Sequence, residues 1–571
     1  MTRTHFKPPE LPPETEADLK RLCLEVRGDI LHMTALAGSG HPGGSMSSVE
    51  ILALLWSQAS VDPGNPCARR RDRIVVSHGH VSPGVYSVLG RLGFIHLEDA
   101  LAGFRQAGSS FEGHVERHIP GIELSSGNLG QGLSAGAGMA LADRSLGYRN
   151  HVWVVTGDGE QQKGQIGEAR RFAAKFRLSN LTCVIDRNRL QISGNTEDIM
   201  PVNHRAEFLA CGWEVVSVDG HDLGALYRAL APAGQKAPRL VIAETVMGKG
   251  VSFMENDPEY HGRAPRPDEL ERALAELGLE NEIERLRSRR ESGAHRPIFP
   301  CEPSYHVLAH RGRPTVYPAD HKGDNRSAWG AALLDLARTN PDDPPLVFDC
   351  DLAGSVKTSP FAREFPDYHF QCGITEHNTA SAAGGASLSD RVVFWADFGV
   401  FAADEVFNQH RLNDINHTNL KVVATHCGLD VGPDGKTHHC MKYVGLMRAL
   451  YNYLTVVPAD PNQTDRVVRF AATHPGNFFI AMGRSAQPVI TREDGAPFFG
   501  ADYEFVFGRP DILRDGGDIA LLAMGAMCHR ALKVRDILAD RGISVRVYAV
   551  SAPNALAEPF VKTLMPFRLL A

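Results

Sequence analysis

The segment Gly157-Asp158-Gly159, followed later by Asn188, determines the fold that this sequence predicts. An apolar, β-branched run at residues 151–156 precedes the turn and is typical of a buried strand. After the turn, the pattern predicts a helix at residues 165–176 and a second strand at residues 181–186. Such a unit places Asp158 and Asn188 at the carboxyl ends of neighbouring parallel strands, where ligands bind in open α/β sheets.

The side chains at this edge indicate a hard-cation site. A carboxylate from Asp158, an amide oxygen from Asn188 and a nearby backbone carbonyl are ligands that suit Mg²⁺ or Ca²⁺ sharing a diphosphate. The two glycines would let the backbone approach the phosphates closely. Taken alone, such a segment is more often an ordinary strand-to-helix turn.

Composition narrows the class of protein. The chain has 571 residues, enough for about three domains. A net charge of −7 without a basic block argues against nucleic acid as a partner. No apolar stretch reaches the length of about 18 residues needed to span a membrane, and residues 1–14 lack the apolar core of a signal peptide. We therefore expect a cytoplasmic protein.

The ten cysteines support the same expectation. They are scattered along the chain and form no CxxC pair. This pattern predicts reduced thiols and argues against a disulfide framework or a zinc site.

Periodicity and composition divide the chain into segments. Strands and helices alternate up to residue 293, and a charged helical run at 268–290 closes this part. Residues 294–324 are rich in proline, histidine and arginine and are expected to form a linker. Two further α/β domains are predicted at 325–490 and 500–571. Their predicted elements are helices at 327–339 and 526–541 and strands at 345–350, 518–523 and 544–549. Residues from 553 onward show no final strand pattern.

Further motifs surround the Gly-Asp-Gly turn in a fixed order. Four precede it and one follows, at residues 39–44, 77–80, 113–116, 126–132 and 373–377. Together with Asp158 and Asn188, they resemble the transketolase family from about residue 15 to about residue 550. The resemblance implies two thiamine-diphosphate-binding α/β domains with parallel sheets, the first binding diphosphate and metal and the second pyrimidine, plus a C-terminal domain that is shortened here.

The resemblance also implies a function. A transketolase cleaves a ketose or ketose phosphate between C2 and C3. It holds the two-carbon ketol unit as dihydroxyethyl-thiamine diphosphate and passes it to an aldose phosphate, as in the pentose phosphate pathway. The implied cofactors are thiamine diphosphate and Mg²⁺ or Ca²⁺. The implied assembly is a homodimer with active sites at the subunit interface.

Matching positions carry over the family's site residues. The metal ligands implied are Asp158, Asn188 and the carbonyl of Leu190. Glu376 matches the catalytic glutamate that hydrogen-bonds the pyrimidine ring. The other implied cofactor contacts are His80, Gly127, Leu129, Gly159, His261, Trp395, Phe398 and Phe401.

The sugar channel is implied in the same way. His41, His114 and His426 match histidines that act on the substrate. Arginine suits a phosphate clamp because its planar fork pairs bidentately with phosphate. The remaining implied substrate contacts are His261, Arg326, Ser355, Asp434, His438 and Arg484.

Two positions depart from the family pattern. Lys163 stands where the family usually has a glutamate of an acidic cluster that links the two cofactors, while Glu168 of that cluster remains. Met247 stands where a lysine often contacts the cofactor. Two other functions stay open: a specialised two-carbon transferase acting on a sulfonated or deoxy sugar, which the implied sugar channel does not exclude, and a non-catalytic protein that binds the cofactor or acts as a scaffold, which Lys163 and the shortened C-terminal domain would support.

Overall fold

A computed structural model describes residues 5–293, 296–301 and 305–570. The chain divides into two compact units, one up to residue 303 and one from residue 304 onward. Parts of the predicted linker at 294–324 and of the N-terminal segment at 1–14 therefore lie outside the described residues, as does Ala571. None of the described helices is both long enough and apolar enough to cross a bilayer.

A parallel five-stranded sheet forms the centre of the first unit. Its strands, in spatial order, are Arg73–Val76, Val152–Gly157, Leu181–Arg187, Arg239–Glu244 and Glu214–Asp219. Gly157 pairs with Asp186 at the carboxyl edge, so the segments carrying Asp158 and Asn188 leave the sheet side by side, as the sequence predicts.

Close packing of small residues brings a helix onto this sheet. Helix Gly132–Ser145 is rich in glycine and alanine, and it packs against strand Val152–Gly157. A β-carbon on Gly136 would lie only 2.4 Å from Val154 Cγ2, so glycine is required for this approach. The other helices of the unit are Pro13–Ala37, Pro42–Ser47, Val49–Gln58, Ser82–Arg91, Leu97–Gly103, Gly164–Lys175, Thr196–Ile199, His204–Ala210, Leu223–Leu230, Pro267–Leu277 and Ile283–Ser292.

The second unit contains a parallel six-stranded sheet. Its strands, in spatial order, are His369–Gln371, Leu346–Asp349, Val393–Phe398, Leu420–Thr425, Asn477–Ala481 and Tyr453–Val456. The helices of this region are Asn325–Thr339, Ser359–Glu364, Glu376–Ala386, Phe407–Ile415, Tyr443–Arg448 and Pro461–Ala472. The two parallel sheets confirm the predicted α/β class.

A smaller sheet follows near the C-terminus. Its strands, in spatial order, are Asp511–Arg514, Val545–Ala549, Ile519–Ala523 and Leu569–Leu570, and the first pair is antiparallel. Helix Met527–Ala539 packs on it, and Glu558–Thr563 precedes the last strand. Strand Leu569–Leu570 was not predicted, because a strand of two residues carries no recognisable alternation.

Two other expectations are wrong. The helical run at 268–290 is two helices, because Gly278 adopts φ +67° and ends Pro267–Leu277 with a left-handed residue. Cys67 and Cys301 form a disulfide with Cα atoms 5.3 Å apart. Their separation of 234 residues explains why spacing gave no sign of the pair. The other eight cysteines are free.

Candidate cofactor and substrate site

A cavity of about 320 Å³ opens at the carboxyl edge of the first sheet. It collects segments that are far apart in sequence, because the strands deliver their following loops to the same edge. The predicted site residues that line it are His80, Leu129, Asp158, Gly159, Asn188, Leu190 and His261. The structure therefore brings together most of the residues assigned to diphosphate and metal in this unit.

Backbone amides hold the two predicted metal side chains. Asp158 is 3% exposed, and its carboxylate accepts hydrogen bonds from the amides of Gly159 at 2.8 Å and Arg189 at 2.7 Å. Asn188 accepts from the Leu190 amide at 3.0 Å and donates to Ser47 Oγ at 3.1 Å. These bonds fix both oxygens on the cavity wall.

The donor chemistry fits a divalent cation. Burial, and then the neighbouring Asp186 carboxylate, raise the pKa of Asp158 to about 7. A cation would relieve both effects, because it replaces lost hydration and separates two like charges. Carboxylate, amide and carbonyl oxygens are the ligands that Mg²⁺ and Ca²⁺ prefer. Asp186 is itself held by the hydroxyls of Ser47, Ser48 and Thr245.

Four histidines gather beside the cavity. The ring centroid of His41 lies 5.0 Å from that of His80, 6.0 Å from His114 and 5.6 Å from His261. Burial lowers the pKa of His41 to about 3, with the charges of His261 and Arg105 adding to the effect. The pKa values of His80, His114 and His261 are also lowered, first by burial. Neutral imidazoles can donate and accept hydrogen bonds toward a sugar.

His78 is a cavity residue that the sequence analysis did not assign. It is 2% exposed and lines the cavity, while its Nε2 has no hydrogen-bond partner among the described residues. An unpartnered buried nitrogen is costly unless a ligand satisfies it. The histidine pair in segment 77–80 was the available signal, but only His80 was assigned.

Glycine allows one predicted contact. Gly127 has φ +132°, and a β-carbon there would lie 2.6 Å from His114 Cδ2. Any larger residue would displace the His114 ring. Gly127 therefore leaves room for the His114 ring, which is a predicted substrate contact, while its own predicted role at the cofactor stays a prediction.

The two departures from the family pattern have different surroundings. Lys163 is exposed, lines the cavity wall and immediately precedes helix Gly164–Lys175. Met247 is fully buried, and its side chain packs against Gly43. The apolar side chain therefore serves packing at the position where the family often has a lysine.

Glu376 begins a helix in the second unit. It is the first residue of Glu376–Ala386 and is 7% exposed. A helix N-terminus favours negative charge at this position. The predicted aromatic residues lie nearby in sequence but have different environments. Trp395 is fully buried against His410, with ring centroids 6.0 Å apart.

Phe398 and Phe401 instead border the histidines of the predicted sugar channel. The ring of Phe398 lies 3.8 Å from that of His426, and the ring of Phe401 lies 5.6 Å from that of His438. The two phenylalanines are stacked, with centroids 6.1 Å apart. They therefore form one aromatic surface, and Trp395 belongs to the core behind it.

Arg326 forms hydrogen bonds to the other residues of the predicted phosphate clamp. It donates hydrogen bonds to His426 Nε2 at 3.3 Å and to the carbonyls of Ser355 at 3.2 Å and Arg484 at 3.1 Å. Asp324 orients it through a bond of 3.0 Å to its Nε. The four predicted residues Arg326, Ser355, His426 and Arg484 thus form one contiguous group.

His426 is held under strain. Its φ of +57° lies in the left-handed region, which costs a non-glycine residue about 1–3 kcal/mol and is concentrated at functional sites. Its Nδ1 lies 2.9 Å from the Thr425 hydroxyl. Burial, and then the charge of Arg326, lower the pKa of His426 to about 4. The ring is therefore neutral at physiological pH.

Arg484 has an acidic neighbour. It donates to Asp434 Oδ2 at 3.2 Å and to the Val431 carbonyl at 3.0 Å. The Arg484 side chain is 41% exposed, whereas that of Arg326 is 12% exposed. A phosphate at Arg484 would therefore compete with Asp434 and with water.

Three family models match successive parts of this chain. Residues 23–288 match the family described as "Transketolase, thiamine diphosphate binding domain". Residues 322–489 match "Transketolase, pyrimidine binding domain", and residues 508–565 match "Transketolase, C-terminal domain".

Individual relatives extend the match over nearly the whole chain. The chain is 30% identical to the Mus musculus transketolase-like protein 2, covering 94% of this chain and 84% of that protein. It is 29% identical to Homo sapiens transketolase, covering 93% and 83% respectively.

Solved structures share the fold. The transketolase from Leishmania mexicana superposes with a TM-score of 0.84 at 23% identity, covering 96% of this chain and 88% of that one. The transketolase from Campylobacter jejuni gives 0.85 at 23% identity, covering 96% and 91%. The three family matches and the relatives together establish that the chain belongs to the transketolase family.

Proposed function

We propose that this protein is a thiamine-diphosphate-dependent transketolase. It transfers a two-carbon ketol unit from a ketose or ketose phosphate to an aldose phosphate. The observation that carries the proposal is the cavity of the first unit, where Asp158 and Asn188 present fixed oxygens beside His78, His80 and His261. This combination suits a diphosphate with its cation better than it suits a purely structural role.

The proposed metal ligands are Asp158, Asn188 and the Leu190 carbonyl, holding Mg²⁺ or Ca²⁺. His80, His261 and the backbone at Gly159 would contact the diphosphate, with Leu129 packing beside it and Gly127 supporting His114. When bound there, thiamine diphosphate would supply the nucleophilic carbon for ketose cleavage, and these residues would hold and orient it. Phe398 and Phe401 would pack on the cofactor's pyrimidine ring.

Glu376 is proposed to hydrogen-bond the pyrimidine ring and to exchange a proton with it. His41, His114 and His426 would bind the hydroxyls and carbonyl of the sugar as neutral imidazoles. Arg326, Ser355 and Arg484 would hold the substrate phosphate, with Asp434 and His438 lining the approach. The protein contributes orientation and proton transfer.

The proposal includes the assembly. Following the family resemblance, we propose a homodimer in which Asp158 of one protomer and Glu376 of its partner serve the same cofactor. The proposed domains are 1–293 for diphosphate and metal, 325–490 for the pyrimidine, and 500–571 at the C-terminus.

A reconstituted assay tests the proposal. The purified protein is freed of metal and cofactor with a chelator, and thiamine diphosphate and Mg²⁺ are then restored in the presence of a panel of ketose donors and aldose phosphate acceptors. We expect activity only when both cofactors are present. We also expect Glu376→Gln to reduce turnover about 10²- to 10⁴-fold, the usual contribution of a positioned acid–base group.

The same assay separates the other functions. Transfer confined to sulfonated or deoxy sugars would identify a specialised transferase. Tight cofactor binding without transfer to any acceptor would identify a non-catalytic protein and contradict the proposed activity.

A further inference from the structure

Three buried groups meet in the second unit. Ligand atoms of Cys350, Glu376 and Asp397 all lie within 4.8 Å of one another, and all three residues are buried. Asp397 belongs to strand Val393–Phe398, between the two aromatic residues Trp395 and Phe398. Neither the sequence analysis nor the proposed function gives it a role.

The two carboxylate oxygens of Asp397 differ in their hydrogen bonding. Oδ1 accepts a hydrogen bond from the Phe398 amide at 2.7 Å. Oδ2 is buried and has no hydrogen-bond partner among the described residues. The residue as a whole is 0% exposed, so water cannot replace a missing partner from the surface. A buried unpaired carboxylate oxygen is among the most costly groups a protein can hold.

Two carboxyl groups this close cannot both be ionised in a buried site without a large repulsion. The groups facing Asp397 compensate its charge only in part: the Phe398 amide and the Cys350 thiol favour the charged form, whereas Glu376 and Asp349 oppose it. The neighbouring strand Leu346–Asp349 brings Asp349 and then Cys350, and Asp349 is itself acidic. The residue preceding Asp397 pairs with Asp349, and Asp397 itself pairs with Ala424 on the other side.

From this geometry we propose that Asp397 and Glu376 form a carboxyl pair that shares one proton. The pair carries a single negative charge over the neutral range. Asp397 is then a positioning residue. As a carboxylic acid it donates a hydrogen bond to Glu376, which is proposed to act on the pyrimidine ring. It also provides a second oxygen that can hold the proton. This inference deepens the proposed function and rests on it for the role of Glu376.

The electrostatics agree with this assignment. Burial, and then the charge of Glu376, hold the pKa of Asp397 well above its usual range. Burial likewise holds the pKa of the Cys350 thiol well above its usual range, so the thiol stays neutral. The shared proton therefore belongs to the two carboxyl groups.

Infrared spectroscopy of the cofactor-free full-length protein tests the pair without requiring catalysis. The carbonyl stretch of a protonated carboxyl group should be present at neutral pH in the wild type and absent from Asp397→Asn. The amide oxygen of asparagine can still accept from the Phe398 amide, so this variant removes the proton and keeps the structural contact. Asp502→Asn, which removes an exposed carboxylate, is the matched control and should leave the signal unchanged.

A second variant distinguishes sharing from simple burial. In Glu376→Gln, Asp397 no longer faces a negative neighbour, so the pH at which it loses its proton should fall by about 1–3 units. A purely structural Asp397 would titrate at the same pH in both proteins. An unchanged titration in Glu376→Gln, or a protonated-carboxyl signal that survives Asp397→Asn, would overturn the proposal.

Two further measurements complete the test. If the reconstituted enzyme is active, Asp397→Asn should shift the acidic limb of its kcat–pH profile while leaving KM within about twofold, because Asp397 acts through Glu376. Stoichiometric Zn²⁺ binding that is lost in both Cys350→Ser and Asp397→Asn would show a metal site and overturn the pair. A wild-type protein with the expected infrared titration but no transfer activity would support the pair and contradict the proposed function.

Discussion

Asp158 is a buried carboxylate whose charge is compensated only in part by the residues around it. Its two hydrogen bonds come from backbone amides, which orient the side chain but leave the repulsion from Asp186 in place. The residue is therefore expected to contribute to ligand binding more than to the stability of the ligand-free fold.

This expectation gives a binding prediction. In the wild type, thiamine diphosphate with Mg²⁺ at about 100 times its dissociation constant should stabilise the protein by about 2.7 kcal/mol, seen as a raised melting temperature. Asp158→Ala should lose this ligand-dependent shift. Asp198→Ala, at an exposed position in the nearby helix Thr196–Ile199, should retain it. An equal shift in Asp158→Ala would contradict the metal assignment.

The arginine pair gives a specificity prediction. Arg326→Ala removes the more buried guanidinium and should raise KM for phosphorylated acceptors about 10- to 200-fold, because a charged hydrogen bond contributes about 1.5–3 kcal/mol. Arg484→Ala should have a smaller effect, since Arg484 is more exposed and already paired with Asp434. Arg541→Ala, at an exposed position, is the control.

Steady-state kinetics with matched phosphorylated and non-phosphorylated acceptors distinguishes loss of phosphate binding from general disruption of the fold. Non-phosphorylated acceptors should be affected little by either change. Equal losses for both kinds of acceptor would show that the arginines support the fold and do not bind phosphate.

The first turn of helix Asn325–Thr339 contributes both to the stability of the helix and to the proposed recognition of phosphorylated substrates. Asp324 precedes it and accepts from the Ser327 amide at 3.1 Å, satisfying an otherwise unpaired group at the helix start. The same carboxylate accepts from Arg326 Nε at 3.0 Å. One side chain therefore caps the helix and aims the proposed phosphate-binding arginine.

Two substitutions separate these tasks. Asp324→Ala should lower the free energy of unfolding by about 0.5–2 kcal/mol through loss of the cap, and it should also raise KM for phosphorylated acceptors. Asp324→Asn should keep the cap, since asparagine is an equally good capping residue, and should raise KM alone. Calorimetry and kinetics on both variants check this. A normal KM in Asp324→Ala would show that Arg326 is positioned without it.

The bounds of some helices and strands could be predicted from the sequence. Strands Val152–Gly157 and Leu181–Arg187 lie within a residue or two of their predicted bounds, because burial leaves a continuous apolar run that few other structures produce. The prediction of one helix at 268–290 is wrong because charged residues continue on both sides of Gly278, and this glycine, in a left-handed conformation, ends the first helix.

Contacts between residues that are distant in sequence could not be predicted, for a different reason. The rings of His41 and His261 lie 5.6 Å apart although 220 positions separate the two residues, and only the family resemblance assigned them to one site. Three tertiary features that the resemblance does not imply were not predicted: the Cys67–Cys301 disulfide, the buried His78 Nε2 without a partner among the described residues, and the buried Asp397. Hydrophobic periodicity indicates which face of a helix or strand a residue occupies, but it does not indicate which distant residue packs against that face.

Assembly is the final property to test, and complementation does so directly. If each site takes Asp158 from one protomer and Glu376 from its partner, then Asp158→Ala and Glu376→Gln homodimers are both inactive, yet a mixed dimer contains one intact site. Random exchange should restore roughly one quarter of wild-type activity, because half of the dimers are mixed and half of their sites are intact. Two affinity tags, purified in sequence, would verify subunit exchange and isolate the mixed dimer. Self-exchange of each variant is the control and should restore nothing. An inactive mixed dimer would show that each site is built within a single chain.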